Sequence, residues 1–163
     1  MPEAISNTSP LLYLYRIGVQ DWLKQIFGEI WIPGAVVSEL KEGQRRGYDV
    51  PNPRHYEWIK VVEPRAMPSE WLALDLGAGE LATMALALEN PKRVVLLDDS
   101  LARRTAQAAG LTVMGTLGVL LEAKSRGFTE SIGPLMERLE NTGMWISEDV
   151  QRRILRLAGE TVS

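Results

Sequence analysis

An α/β fold with a mainly parallel sheet covered on both faces is predicted by three observations. Short apolar runs alternate with helical stripes from end to end. Val94-Val95-Leu96-Leu97 is wholly apolar and β-branched at its start, as a strand buried on both faces requires. The chain of 163 residues is 45% hydrophobic and 24% charged, enough for one domain with a sizeable core.

The elements follow in order. Ala4-Ile5-Ser6 reads as a strand, and Asn7-Thr8-Ser9-Pro10 as a helix start, with Ser or Thr as the cap and Pro10 in the first turn. Leu11, Leu12, Leu14 and Tyr15 continue that helix, and Trp22, Leu23, Ile26 and Phe27 form a second ending near Gly28. Ile30-Trp31-Ile32 is a strand, and Pro33-Gly34 opens a helix that turns Val36, Val37 and Leu40 inward. From Lys41 to Pro53, charge and the breakers Gly43, Gly47, Pro51 and Pro53 predict a loop. Ile59 to Val62 reads as a strand near a sheet edge.

A helix is expected after Gly77-Ala78-Gly79, with Leu81, Met84, Ala85 and Leu88 on one face. Beyond Val94–Leu97, a helix carrying Ala102, Ala106 and Ala109 ends at Gly110. Leu111 to Met114 is the last strand, and Leu117, Leu120 and Leu121 mark the helix after it. From about residue 129 the chain is helical. Ile132, Leu135, Met136 and Leu139 form one stripe, and Val150, Ile154, Leu157 and Ala158 another, capped by Ser147. No repeat or linker divides residues 1–163, so a single domain is expected.

Composition narrows the chemistry. No apolar stretch is long enough to span a bilayer, and the first residues lack a signal-peptide pattern, so a cytoplasmic protein is expected. With no cysteine and His55 as the only histidine, a metal site would consist of oxygen ligands, which suit Mg or Mn. His55 itself reads as a solvated loop side chain, and the five tryptophans as core or interface residues. The formal charge of −3 argues against general nucleic-acid binding but leaves room for a local basic rim, for which Lys41, Arg45, Arg46, Lys124 and Arg126 are candidates.

Several motifs fail. Gly77-Ala78-Gly79 lacks a preceding buried strand and a third glycine, and Gly115-Thr116-Leu117-Gly118 lacks the Gly-Lys-Ser/Thr of a phosphate loop. These glycines suit tight turns and close helix packing. Ser9 has no triad partners.

The Asp98-Asp99 pair ends the buried strand, where ligands bind in an open parallel sheet. Capping of the helix near Ser100 is the competing role. Asn7 lies beyond the first strand, Glu39 in the helix after the second, and Glu80 in the first turn of its helix. Taken singly, these three suit a turn, solvent exposure and a helix dipole, respectively.

In order, however, Ile5–Leu11, Ile32–Leu40, Gly77-Ala78-Gly79-Glu80-Leu81 and Leu97–Arg103 resemble the PIN-domain ribonucleases, especially the toxins of VapC-type toxin–antitoxin pairs. Gly115–Gly118 through Glu122-Ala123-Lys124, with Trp145-Ile146-Ser147, resembles a PIN-like subgroup. The resemblance covers nearly the whole chain and implies a three-layer α/β/α sandwich. It also implies an acidic site for one or two Mg or Mn ions that hydrolyses RNA phosphodiesters.

By position, Asn7, Glu39 and Glu80 match the family's first three acidic sites, and Asp99 the acid after the late strand. Catalysis would then fall to Glu39, Glu80 and Asp99, with metal ligation by these three and Asn7, and with Asp98 as an auxiliary ligand or as a group that supports the ligands without touching the metal. Thr8 and Ser9 are candidate water or phosphate contacts beside their capping role. Arg103 is a candidate phosphate contact, although an i, i+4 pair with Asp99 is favoured. The expected partners are an RNA substrate, a cognate antitoxin and a second copy in a homodimer. Asn7 departs from the family pattern, since an amide oxygen can ligate a hard cation but brings no charge. It keeps open a weak or inactive RNA- or protein-binding module. A phosphoacceptor domain using Asp98-Asp99 is disfavoured because the pair comes late and no suitably placed lysine follows.

Overall fold

The computed structural model describes residues 2–161. Within these residues, five strands form one parallel sheet: β1 (Ala4–Ser6), β2 (Ile30–Ile32), β3 (Ile59–Val61), β4 (Val94–Leu96) and β5 (Val113–Met114). Their spatial order is β3-β2-β1-β4-β5, with Ala4 opposite both Ile30 and Val94. The order reverses at β1 and β4, so the crevice beyond their C-terminal ends is the natural binding place in such a sheet.

Among the described residues, eight α-helices cover the sheet: α1 (Thr8–Arg16), α2 (Asp21–Phe27), α3 (Gly34–Arg45), α4 (Ala78–Glu89), α5 (Ser100–Ala108), α6 (Thr116–Ser125), α7 (Gly133–Asn141) and α8 (Glu148–Leu157). Alternation along the strands sorts them into layers. Ala4, Ile30, Ile32, Val94 and Leu96 join a core with Leu14 of α1, Leu23 of α2, Val36 of α3, Leu120 of α6 and Leu139 of α7. Ile5, Val95 and Leu97 face the other way, onto Met84 and Leu86 of α4 and Ala102 and Ala106 of α5. This is the expected three-layer α/β/α sandwich. None of the described helices is long and apolar enough to cross a membrane.

One expectation requires correction. The loop placed at Lys41–Pro53 begins late, because α3 runs on to Arg45. Gly43 does not break it: a Cβ there would lie 3.2 Å from Val50, so the glycine permits close packing of the following loop. Glu42 also holds Arg45 and Arg46 one turn on. Residues 64–76 carry no helix or strand signal in the sequence. There a 3-10 turn at Ser69–Ala73 buries Trp71 in the second core.

The helical tail is fastened by Glu160. Its carboxylate accepts from Ile132 N–H at 2.8 Å and Gly133 N–H at 3.0 Å, at the start of α7, and from Lys124 Nζ at 2.9 Å. Burial alone would push this carboxyl up, but the Lys124 ammonium and the two N–H groups outweigh it and hold it below the usual range. The stability so contributed is full above the unfolded-state value and is lost as pH falls through the lowered one. Glu160→Gln should lower Tm by about 3–6 °C near neutral pH, and the two proteins should converge in acid. Thermal melts across pH test this.

Candidate functional site

The strand tips at the reversal point carry the acidic constellation. Asn7 follows β1, and its backbone N–H donates to Leu96 O of β4 at 3.1 Å, which ties the two tips together. Its side chain is buried, 5% exposed, and Oδ1 has no hydrogen-bond partner. An orphaned buried acceptor is costly and calls for an explanation.

Glu39 approaches from α3. Its Oε1 accepts from Thr8 Oγ1 at 2.5 Å and its Oε2 from Gly79 N–H at 2.9 Å. This contact brings α3 and the N-terminus of α4 together, which puts Glu39 beside the segment carrying Glu80. Gly79 leaves the room for it: a Cβ there would lie 2.5 Å from Glu39 Oε1 and 2.6 Å from Oε2, so the carboxylate would have to shift. The glycine expected to serve close packing does so against a carboxylate.

Glu80 occupies the first turn of α4 and reaches back to accept from Gly77 N–H at 3.0 Å. Burial raises its pKa most; the Gly77 N–H opposes this, and the nearby Asp99 and Glu39 carboxylates raise it further. Glu80, Glu39 and Asp99 therefore share one electrostatic neighbourhood. A raised folded-state value means that stability is full while Glu80 is protonated and is lost as pH rises through that value. Without metal, Glu80→Gln should raise Tm by about 1–3 °C near pH 8 and change it little near pH 4. A pH series of melts with a chelator present checks the sign.

Asp99 caps α5, its Oδ2 accepting from Ala102 N–H at 2.9 Å. It is exposed, leaving oxygen lone pairs for other partners. Asp98 is used differently. Its Oδ1 accepts from Thr116 N–H at 2.7 Å, and its Oδ2 from Thr116 Oγ1 at 2.7 Å and Ser9 Oγ at 3.0 Å.

Other side chains depart from expectation. Thr8 and Ser9 do not cap α1: Asn7 is the N-cap residue and makes no side-chain cap bond, and the two hydroxyls go to Glu39 and Asp98. Arg103 does not pair with Asp99; its Nη1 donates to Leu97 O at 3.0 Å. The basic rim is largely tied down. Arg45 and Arg46 bind Glu42, Arg126 binds Glu122, and Lys124 binds Glu160 and Ala158 O. His55 lies exposed in a 3-10 turn, as a solvated side chain would.

Among the described residues, no three His, Asp or Glu side chains stand close enough together to form a ready-made metal group. The donor set nevertheless fits a hard cation in kind. It offers an unpartnered amide oxygen and three carboxylates, one of them with a pKa raised mainly by burial and further by the other two. The sequence does not pair Gly79 N–H with Thr8 Oγ1, the two groups that hold Glu39. Gly79 stands directly before Glu80, and that adjacency was the available signal.

A family model described as a PIN domain matches residues 3–160. Among curated proteins and solved structures, none matches the chain.

Proposed function

The chain belongs to the PIN-domain family, and from that premise we propose that it is a metal-dependent endoribonuclease hydrolysing RNA phosphodiester bonds. PIN domains are commonly nucleases and generally use divalent metals. What supports the reading is the family match together with two contacts: Glu39 is held beside the start of α4 by Gly79 N–H, and the amide oxygen of Asn7 is buried and unpartnered after β1.

In this reading Asn7, Glu39, Glu80 and Asp99 hold Mg2+ or Mn2+, which when bound supplies Lewis-acid polarisation of the scissile phosphate. Glu39 is kept in place by Thr8 and Gly79, so its carboxylate is oriented before substrate arrives. Burial, with Asp99 and Glu39, raises the pKa of Glu80, and a cation held there would favour its carboxylate form. Arg103 sits half-buried at the β4 tip, and its guanidinium is a candidate phosphate contact. Asp98 has both oxygens engaged within the fold, which favours Asp99 over it as a ligand.

The cellular role we propose is the toxin of a type II toxin–antitoxin pair, a cytoplasmic homodimer held in check by a cognate antitoxin. A non-catalytic RNA- or protein-binding module is the second reading, and the uncharged Asn7 favours it. The test is incubation of purified protein with single-stranded RNAs under Mn2+ or Mg2+. Cleavage that a chelator abolishes supports the nuclease. No metal-linked cleavage by either the wild type or Asn7→Asp overturns it.

A further inference from the structure

The segment Asn7-Thr8-Ser9 touches a different part of the site with each residue. Asn7 N–H binds the backbone of β4, the Thr8 hydroxyl binds Glu39 on α3, and the Ser9 hydroxyl binds Asp98 beyond β4. Asp98 is the hub of the last connection. One carboxylate takes the first amide of α6, the buried Thr116 hydroxyl and the Ser9 hydroxyl. A carboxylate at a helix N-terminus is also favoured by the helix dipole. Gly115 leaves the room: a Cβ there would lie 2.7 Å from Arg103 Nη1 and 3.0 Å from Asp98 Oδ1. Its neighbour Asp99 meanwhile fastens α5.

The geometry points to Asp98 as a positioning residue that fixes the β1–α1 turn, and with it Asn7, relative to Asp99 through Ser9 and Thr116. This inference rests on the metal-site reading above. Asp98 ligates nothing in this role. It holds two oxygens of the site, one on each side of the strand order reversal, at a constant separation. Groups that orient metal ligands in this way are worth about 10–100-fold in metal affinity.

The test is Mn2+ affinity by titration calorimetry, with folding of each variant checked by circular dichroism. Asp98→Ala should weaken binding by about 10–100-fold. Ser9→Ala and Thr116→Val should each weaken it as well, while the Asp98→Ala/Ser9→Ala double variant loses no more than Asp98→Ala alone. Asp98→Asn should recover most of the affinity, because an amide can keep all three partners once the hydroxyls turn. Thr116→Ser, which keeps the hydroxyl, should bind as the wild type.

A direct ligand role predicts the opposite pattern, with Ser9→Ala and Thr116→Val harmless and Asp98→Asn as damaging as Asp98→Ala. A purely structural role lowers Tm and leaves affinity unchanged. Either result overturns the proposal while leaving the metal site standing. Absence of Mn2+ binding in both the wild type and Asn7→Asp overturns the metal site and this proposal together.

Discussion

Asp99→Asn should reduce metal-dependent RNA cleavage at least about a hundredfold while leaving the fold intact. The two effects separate because Asp99 has two jobs that depend on different properties. As the N-cap of α5 it needs only an acceptor oxygen for Ala102 N–H, and Asn caps a helix about as well as Asp. As a ligand it needs negative charge, which Asn lacks. Melting curves of the two proteins should therefore nearly superimpose while cleavage is lost. A variant equally active in metal would remove Asp99 from the site. The same substitution also exposes any contaminating ribonuclease, whose activity would persist.

Asn7→Asp should act in the other direction. It adds a negative charge where an amide oxygen is already buried and unpartnered. Metal affinity should rise about tenfold or more, equivalent to about 1.4 kcal/mol, so cleavage reaches half its maximum at lower Mn2+. The same charge costs the metal-free protein stability, since a carboxylate at this buried position has no hydrogen-bond partner at Oδ1 to replace water. Tm without metal should fall by about 3–8 °C, and saturating Mn2+ should restore it. A Tm that falls and is not restored would mean that no cation occupies the position.

Much of the architecture is legible in the chain because its signals are local. The apolar run at Val94–Leu97 specifies a strand buried on both faces, and Ser147 caps α8 through Val150 N–H as its sequence context suggests. Ile59–Val61 is indeed an edge strand. The misreadings arise where a tertiary partner takes over a local signal. Gly43 looks like a breaker until Val50 packs against it. Thr8 and Ser9 look like caps until Glu39 and Asp98, 31 and 89 residues away, claim their hydroxyls. Arg103 is spaced to meet Asp99 but turns to the Leu97 carbonyl.

The site divides the same way. Each acidic residue is visible in sequence, yet nothing in the spacing brings Glu39 to Glu80. Resemblance to a family supplied that pairing, and the Gly79 N–H contact is its physical form. A supporting role for Asp98 beside a ligand is among the readings the resemblance offers, whereas its partners Thr116 and Ser9, 18 and 89 residues away, are set by tertiary contacts that no spacing reveals.

The most direct measurement is residue-resolved Mn2+ broadening of backbone amide NMR signals. A paramagnetic ion bound by Asn7, Glu39, Glu80 and Asp99 should erase the signals of Thr8, Glu39, Gly79, Glu80 and Ser100 first. Those of α8 should persist at the same Mn2+ concentration, and Asp99→Asn should shift the effect to higher concentration. Broadening confined to other surface carboxylates, such as Glu148 and Asp149, would contradict the account.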